Sequence, residues 1–400
     1  MTTLIICSIV VAILIGWLIF DYKAGRKNHL LTSKYTQYPL RKSNISLFID
    51  GNDFYKDYFE NIKNSTTYVH VIFFIMKNDK ISHEFLSILG KKAEEGLDVR
   101  LLLDYVGGSK LGKKKIQILK NQGVRFAFSH KPKLPFLLYT SQARNHRKIT
   151  VIDGKTSYLG GFNIGKEYLG QDPKFGYWRD YHLKIQGEGT LDLQQQFFKD
   201  WFDSTGENEL NEVHFPTLTP KGESSHMFIS TYGEKLEDHF IDFIQNAKQE
   251  IIICTPYFIP GKRVLNELLE ALSRGVKVKV VVPMGKDHPF VKEASLPYFG
   301  PLILAGCEIY QYFYGFFHAK MIIIDDKFCD IGTANFDKRS MFLNDEMNCL
   351  IYDPAFIEKV RSLINEDMKH SELLTYSAYQ KRPLTKKIKE VFATIISHFL

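Results

Sequence analysis

Histidine, lysine and aspartate recur with one spacing at two places in the chain. HRKITVIDGKTSYLGGFN begins at His146, and HAKMIIIDDKFCDIGTAN begins at His318. The positions in register are His146, Lys148, Asp153, Gly160 and Asn163 in the first copy, and His318, Lys320, Asp325, Gly332 and Asn335 in the second. By composition, HxKxxxxD is expected by chance about 0.2 times in a chain of this length. Two copies that also share downstream residues therefore indicate a duplicated chemical site.

The residue types in each copy suit chemistry at phosphorus. In a strand, a histidine and the lysine two residues later point to the same face. Two such pairs in one cleft would place Lys148, Lys320 and the predicted substrate-binding amides of Asn163 and Asn335 around phosphate oxygens, where they stabilise developing negative charge. One neutral imidazole would attack phosphorus, and the other, protonated, would give its proton to the leaving alkoxide.

The two motif aspartates have two interpretations. Asp153 and Asp325 are counted with the histidines and lysines as predicted catalytic residues. Each also stands where a strand ends and a turn begins. A structural role in fixing that turn is an equally good interpretation.

Carboxylates that orient the histidines are predicted after each motif. WRDYHLKI contains Asp180, and NDEMNCLI contains Glu346. A short insertion in the first half puts these two residues in equivalent places. Because the site must hold two histidines in opposite protonation states, and carboxylates set the tautomer and direction of an imidazole, we predict that Asp180 and Glu346 orient the histidines.

The elements that position these residues alternate between strand and helix. Predicted strands run over 68–74, 99–104, 124–128, 148–153, 251–255, 276–282 and 308–312. Predicted helices run over 83–95, 110–121, 263–273 and 289–304. The pattern predicts an α/β fold of two duplicated halves, each with a mainly parallel sheet, packed about a pseudo-twofold axis. A stretch rich in turn-forming residues, 204–225, is the predicted join between the halves.

The first segment is predicted to be one transmembrane helix. Leu4–Phe20 has no charged side chain and is at the lower end of the length that spans a bilayer. Lys23, Arg26 and Lys27 follow it and no Lys or Arg precedes it, so the positive-inside rule places the rest of the chain in the cytoplasm. A cleavable signal peptide fits worse, because a basic region and a small-residue cleavage site are missing. A buried core helix is the remaining alternative.

A second amphipathic element is predicted over 385–400. Apolar side chains recur there at helical spacing, beside a basic stretch that includes Lys381 and Arg382. Such a helix lies at an anionic membrane surface or packs on the protein core, and both interpretations stay open. The predicted organisation is an anchor over 1–22, a first half over 23–212, a second half over 213–384 and this helix.

Composition excludes several classes of protein. The apolar fraction of 44% and charged fraction of 24% exclude wholesale disorder and a polytopic membrane protein. Five cysteines without a CxxC pair exclude a disulfide scaffold and a standard zinc framework. The net charge of +7 indicates an anionic partner.

The chain resembles the phospholipase D superfamily and, within it, the bacterial cardiolipin synthases. The resemblance rests on RNHRKITVIDGKTSYLGGFNIG, WRD, TPYFIP, FFHAK, IGTANFDKRS and LNDEMN, and it covers essentially everything after the membrane segment. It implies a mechanism without metal or cofactor and a covalent phosphohistidine, with His146 as nucleophile and His318 as general acid. It also implies crossed pairing, Glu346 with His146 and Asp180 with His318.

The reaction implied by the resemblance is phosphatidyl transfer in a bacterial cell membrane. One phosphatidylglycerol would give its phosphatidyl group to a second, releasing glycerol and forming cardiolipin. Many cardiolipin synthases carry two N-terminal membrane segments, so this chain looks like a short form with one.

Three other functions remain as alternatives: a phospholipase D-type hydrolase, a phosphodiesterase or nuclease of the same superfamily, and an inactive membrane scaffold. The anchor and the sequence blocks weigh against a nucleic-acid substrate. The intact His, Lys and Asn in both halves weigh against a scaffold. The sequence leaves the oligomeric state open.

Overall fold

The predicted strands and helices form an α/β fold with two similar halves. A computed structural model describes residues 2–208 and 221–400. The α-helices in this part of the chain are α1 (Thr2–Thr32), α2 (Gly51–Lys63), α3 (Lys80–Glu94), α4 (Lys113–Asn121), α5 (Leu137–Gln142), α6 (Gly189–Thr205), α7 (Leu236–Asn246), α8 (Gly261–Ser273), α9 (Val291–Leu304), α10 (Lys338–Phe342), α11 (Pro354–Lys369), α12 (Tyr376–Gln380) and α13 (Leu384–Ile396). The strands are β1 (Thr36–Gln37), β2 (Arg41–Phe48), β3 (Tyr68–Phe73), β4 (Asp98–Asp104), β5 (Arg125–Ser129), β6 (Ile149–Ile152), β7 (Thr156–Gly160), β8 (Trp178–Arg179), β9 (His182–Gly187), β10 (Ser224–Tyr232), β11 (Glu250–Cys254), β12 (Lys277–Pro283), β13 (Glu308–Tyr312), β14 (Phe316–Phe317), β15 (Met321–Ile324), β16 (Phe328–Gly332), β17 (Asp345–Ile351) and β18 (Ser371–Leu373). A short 3-10 helix spans Lys166–Leu169.

The strand order confirms the duplication. From one edge the sheet runs β5-β4-β3-β6-β7-β9-β2, and it continues as β10-β17-β16-β15-β11-β12-β13. The second series repeats the first in reverse, so the pseudo-twofold axis passes between β2 and β10. The two halves are therefore joined into one hydrogen-bonded sheet. The predicted boundary at 212/213 lies outside the described residues.

The prediction of a mainly parallel sheet is wrong for the centre of each half. β3, β4 and β5 are parallel, but β6 pairs antiparallel with both β3 and β7. Residues 153–155 alone connect β6 to β7, and a connection this short joins antiparallel neighbours. In the second half β11 and β12 are parallel while β15 and β16 are antiparallel.

The helix α1 begins as predicted and is longer than predicted. It is apolar and long enough to cross a membrane, and its most apolar window has no buried residue, which excludes the core-helix alternative. It continues past the predicted end of the anchor at residue 22 to Thr32. Burial begins at Asp21, whose carboxylate accepts a hydrogen bond from the backbone N–H of Tyr139 at 2.9 Å. The helix therefore has an exposed apolar part and a second part that docks on the protein body.

Candidate active site

The two motif histidines precede equivalent central strands. Every residue of β6 and of β15 is buried, and all of them are apolar except Thr150, whose hydroxyl is hydrogen-bonded to that of Tyr58. His146 stands just before β6 and His318 just before β15, and both line one cavity of about 1060 Å³. The duplicated strands thus bring the two histidines from the two halves to one site.

Backbone pairing between the halves decides which carboxylate meets which histidine. The N–H of His146 donates to the carbonyl of Asp345 at 3.0 Å, and the N–H of His318 donates to the carbonyl of Arg179 at 2.7 Å. Asp345 and Arg179 are the residues just before Glu346 and Asp180. Each carboxylate is therefore delivered to the histidine of the other half.

The side chains complete this crossed arrangement. Nδ1 of His146 lies 2.9 Å from Glu346 Oε2, and Nδ1 of His318 lies 2.6 Å from Asp180 Oδ2. Because a carboxylate can only accept, the contact with Glu346 places the proton of His146 on Nδ1, and the contact with Asp180 favours the same tautomer for His318. The other nitrogen, Nε2, is then the unprotonated atom that can attack phosphorus or take a proton.

Glu346 is held by neutral donors as well as by the histidine. Its carboxylate accepts hydrogen bonds from Thr333 Oγ1 at 2.6 Å, Ser340 Oγ at 2.9 Å and Asn344 Nδ2 at 3.2 Å. Burial raises the pKa of this carboxyl, but His146 and the other donors outweigh burial, and the net pKa lies below the ordinary value. Glu346 therefore carries a fixed negative charge.

The carboxylate of Asp180 is held by a backbone N–H and lies close to a lysine. Oδ1 accepts a hydrogen bond from the N–H of Tyr181 at 2.8 Å, and Lys320 Nζ lies 3.8 Å from Oδ2. Burial raises the pKa of Asp180, but Lys320 and His318 together lower it by more, so the net pKa is below the ordinary value. A Cβ at Gly161 would overlap this carboxylate, which explains the second glycine of SYLGGFN.

Burial governs the charge of the motif lysines and histidines. It lowers the pKa of both His146 and His318 to about 4, against the opposing effect of their carboxylates. It also lowers the pKa of Lys148 to about 7 and of Lys320 to about 8. Both imidazoles are therefore neutral in the substrate-free protein at neutral pH.

The motif lysines lie behind the histidines. Lys148 Nζ donates to the carbonyl of His146 at 2.6 Å, and Lys320 Nζ donates to the carbonyl of His318. Lys320 Nζ also lies 2.7 Å from Nδ1 and 3.2 Å from Nε2 of His318. These contacts place positive charge next to the cavity, where an anionic substrate would be attracted.

The two predicted amides line the same cavity. Asn163 Oδ1 accepts a hydrogen bond from the N–H of Ile75 at 3.0 Å, and its Nδ2 donates to the Tyr168 hydroxyl at 3.1 Å. Asn335 is also buried at the cavity, and its side chain contacts Asp337. Substrate binding by the two amides stays a prediction.

The motif aspartates do not line the cavity, and their contacts favour the turn-fixing interpretation over the catalytic one. Asp153 accepts hydrogen bonds from the backbone N–H groups of 66–68, and Asp325 accepts them from those of 248–250. Asp153 comes seven positions after His146 along extended chain, which corresponds to roughly 23 Å. The turn-fixing interpretation fits this placement, because each carboxylate ties the end of its motif strand to the start of the neighbouring strand.

One residue of the site was missed by sequence reasoning. Arg147 lies between the motif histidine and lysine and points to the opposite face, where it is fully buried. It donates to both carboxylate oxygens of Asp200, to Ser230 Oγ and to the carbonyl of Glu346. Its neighbours from the second half make it a clamp between the halves. The signal in the sequence was a third basic residue between the motif histidine and the motif lysine.

Comparison with known proteins identifies the family. Residues 58–201 and 240–368 match the family model described as cardiolipin synthase, PLD-like domain. The chain belongs to this family. Minor cardiolipin synthase ClsB of Bacillus subtilis (strain 168) is 43% identical over 400 residues, which cover all of both chains. Major cardiolipin synthase ClsA of the same organism is 39% identical over 90% of this chain and 76% of its own. Cardiolipin synthase of Staphylococcus aureus (strain Mu50 / ATCC 700699) is 37% identical over 90% of this chain and 74% of its own. The family makes the chain a membrane-associated enzyme of the phosphatidyltransferase class that acts on phospholipids.

Solved structures support the fold. Phosphatidylserine synthase of Haemophilus influenzae Rd KW20 matches with a TM-score of 0.70 and 18% identity, over 91% of this chain and 97% of its own. Polyphosphate kinase of Porphyromonas gingivalis matches with a TM-score of 0.56 and 11% identity, over 89% of this chain and 54% of its own. At these identities the likeness concerns the fold alone.

Proposed function

We propose that this enzyme transfers a phosphatidyl group from one phosphatidylglycerol to another and so forms cardiolipin and glycerol. The observation that carries the proposal is the pair of crossed histidine–carboxylate contacts, which aim two imidazoles into one cavity. Family membership supports the choice of a phospholipid as substrate.

The first half-reaction forms a phosphatidyl-histidine. The lone pair of His146 Nε2 attacks phosphorus, and the bond from phosphorus to the glycerol headgroup oxygen breaks. His318 gives the Nε2 proton to that oxygen, and glycerol leaves. Glu346 accepts the Nδ1 hydrogen bond throughout and stabilises the positive charge that develops on His146.

The second half-reaction returns the histidine. The terminal hydroxyl of a second phosphatidylglycerol attacks phosphorus, its proton goes to His318 Nε2, and the bond from phosphorus to His146 breaks. A phosphodiester replaces a phosphodiester, so the transfer is reversible. Water in place of the second lipid would give phosphatidic acid instead.

Substrate binding supplies the condition under which His318 is protonated. Burial lowers the pKa of its imidazole in the free enzyme, but a bound phosphodiester adds a negative charge beside it. Asp180 already favours the protonated ring through its contact at 2.6 Å. His146, which must stay neutral to attack, is paired with a carboxylate whose charge is shared among three further donors.

We further propose that the enzyme crosses a bacterial cell membrane once and keeps its catalytic body in the cytoplasm. Lys23, Arg26 and Lys27 follow the apolar part of α1, which supports this orientation. The orientation is measured with a cysteine placed in the exposed turn after β15. A membrane-impermeant thiol reagent should modify this cysteine in opened cells and not in intact cells. Modification of this cysteine in intact cells would show that the catalytic body lies on the outer side of the membrane.

Lipid analysis of a defined reaction tests the proposal. Purified full-length enzyme is incubated with phosphatidylglycerol vesicles, and we expect cardiolipin and glycerol in equal amounts. His146→Ala and His318→Ala should each abolish both products. His83→Ala, which changes an exposed histidine outside the cavity, is the matched control and should be fully active. Phosphatidic acid as the sole product would refute transfer in favour of hydrolysis.

A further inference from the structure

The helix α13 packs on the protein with its small and polar residues and turns its apolar face outward. Ala393 is fully buried in a cluster with Val291 and Ala294 of α9. Glu390 is also buried and forms an ion pair with Arg382, with Nε and Oε1 2.9 Å apart. The apolar residues that remain exposed share the opposite face: Leu384, Ile388, Val391, Phe392 and Ile395.

This exposure is larger than ordinary surface apolarity explains. Val391 is 65% exposed, Ile388 63% and Ile395 74%, at helical spacing that makes them one stripe. Contiguous exposed apolar surface of this kind marks an interaction site. Lys387 and Lys389 lie on the same helix and are exposed, which gives it the basic flank that suits an anionic bilayer.

The residues after α13 join this stripe to the transmembrane helix. His398 and Phe399 contact the ring of Tyr22, with centroids 5.5 and 5.3 Å from it, at the place where α1 changes from exposed to docked. Leu134 and Leu137, beside the docked part of α1, are also exposed. The chain just after α13 therefore lies against the point at which α1 changes from exposed to docked.

The same end of the chain borders the reaction site. Phe399 and Leu400 line the cavity that holds His146 and His318. The carbonyl of Phe399 accepts a hydrogen bond from Arg339, at the start of α10, at 3.0 Å. Whatever covers α13 therefore lies next to the mouth of the cavity.

We propose that α13 lies in the headgroup layer of an anionic bilayer, in the leaflet that α1 leaves, and so holds the cavity mouth at the level of the phosphodiesters. A phospholipid then reaches the histidines while its acyl chains stay in the bilayer. This inference concerns access to the site and holds whether the acceptor is a lipid hydroxyl or water.

A fluorescent probe on the full-length enzyme tests the position of α13. In a Cys7→Ser background the other cysteines are buried, so NBD labels Val391→Cys selectively. Asp326→Cys is the matched control, since its side chain is 83% exposed in the turn at the end of β15 remote from His318. In vesicles of phosphatidylglycerol and phosphatidylcholine, we expect blue-shifted emission and quenching by doxyl-labelled lipid at 391 and water-like emission at 326.

A kinetic comparison tests the consequence for the substrate. We expect the double variant Val391→Glu, Ile395→Glu to lose about tenfold or more of its turnover on bilayer phosphatidylglycerol, because two apolar side chains no longer enter the interface. Its turnover on monomeric dihexanoyl-phosphatidylglycerol should be unchanged. Ile118→Glu makes the same kind of change, from apolar to acidic, at one exposed residue of α4, and it should leave both rates unchanged.

Three results would overturn the proposal. Water-like emission at 391 would show that no bilayer covers the helix. Blue-shifted emission of the probe at 391 that doxyl-labelled lipid does not quench, and that increases with protein concentration, would show that a second copy of the chain covers the stripe. Equal loss of turnover on both substrates would assign it a structural role. A finding that the product is phosphatidic acid refutes the proposed transfer and leaves the probe result unaffected.

Discussion

Replacing Glu346 with glutamine isolates the role of the carboxylate behind the proposed nucleophile. The carboxylate accepts hydrogen bonds from His146 Nδ1, Thr333, Ser340 and Asn344, and all four partners are donors. A glutamine has one accepting oxygen and one amide nitrogen that only donates. At least one donor must therefore face the amide N–H₂ in a buried site.

The loss of kcat in this variant depends on which donor is left without an acceptor. If the amide nitrogen faces His146, the ring proton moves to Nε2, the atom that must attack phosphorus. If the ring keeps its tautomer, a buried donor is unsatisfied at about 1–3 kcal/mol and the charged hydrogen bond is lost at about 1.5–3 kcal/mol. Together these raise the barrier by about 2.5–6 kcal/mol, a loss of about 10²- to 10⁴-fold in kcat. A carboxylate-to-amide change behind a catalytic histidine costs about 10⁴-fold in serine proteases, the upper end of this range.

The assay measures both turnover and the covalent intermediate. Initial rates of cardiolipin formation give kcat, and quenching in sodium dodecyl sulfate at mildly alkaline pH, with phosphatidylglycerol labelled at phosphorus, measures phosphatidyl-histidine, because its P–N bond is labile in acid. Asp330→Asn is the matched control, because Asp330 is equally buried, is outside the cavity lining, and has a pKa raised by burial to about 7. A folded Glu346→Gln enzyme with kcat within about fivefold of the parent would refute the orienting role, since that is less than the loss of one charged hydrogen bond.

Three further changes test other parts of the structure. Asp153→Asn should lower the midpoint of thermal unfolding by a few degrees, for about 1 kcal/mol of lost hydrogen bonding, with kcat unchanged; a catalytic role would instead lower kcat at constant stability. Burial lowers the pKa of Lys148 to about 7, so this lysine loses its charge as pH rises through that value. We therefore expect KM for phosphatidylglycerol to rise above pH 7. A KM that is independent of pH between 6 and 9 would contradict a phosphate-binding role for the charge on Lys148. At Gly25 a Cβ would lie 2.5 Å from Tyr139 Cβ, so Gly25→Ala should loosen the docked part of α1 and speed trypsin cleavage after the neighbouring basic residues. Gly16→Ala, where a Cβ would meet nothing within 4 Å, is its control, and equal cleavage in both variants would show that the close contact is unimportant.

The sequence alone predicted the histidines and lysines of the candidate site, and it predicted the duplicated architecture that the structure confirms. In extended chain a histidine and the lysine two residues later point to the same side, and this local rule allowed both motifs to be recognised from the sequence. The register between the motifs also located Asp180 and Glu346. The N-terminal helix that is long and apolar enough to cross a membrane followed from apolar length, which depends on no other part of the chain.

Tertiary structure decided which groups meet and which remain exposed. His146 and Glu346 are 200 residues apart, and only the backbone pairing between the halves brings them together. The same pairing explains why Arg147 is a buried clamp, while the hairpin after each motif strand takes Asp153 and Asp325 away from the reaction. For α13 the pattern showed an apolar stripe but not the direction it faces, because an amphipathic sequence has the same periodicity whether its partner is a protein core or a bilayer.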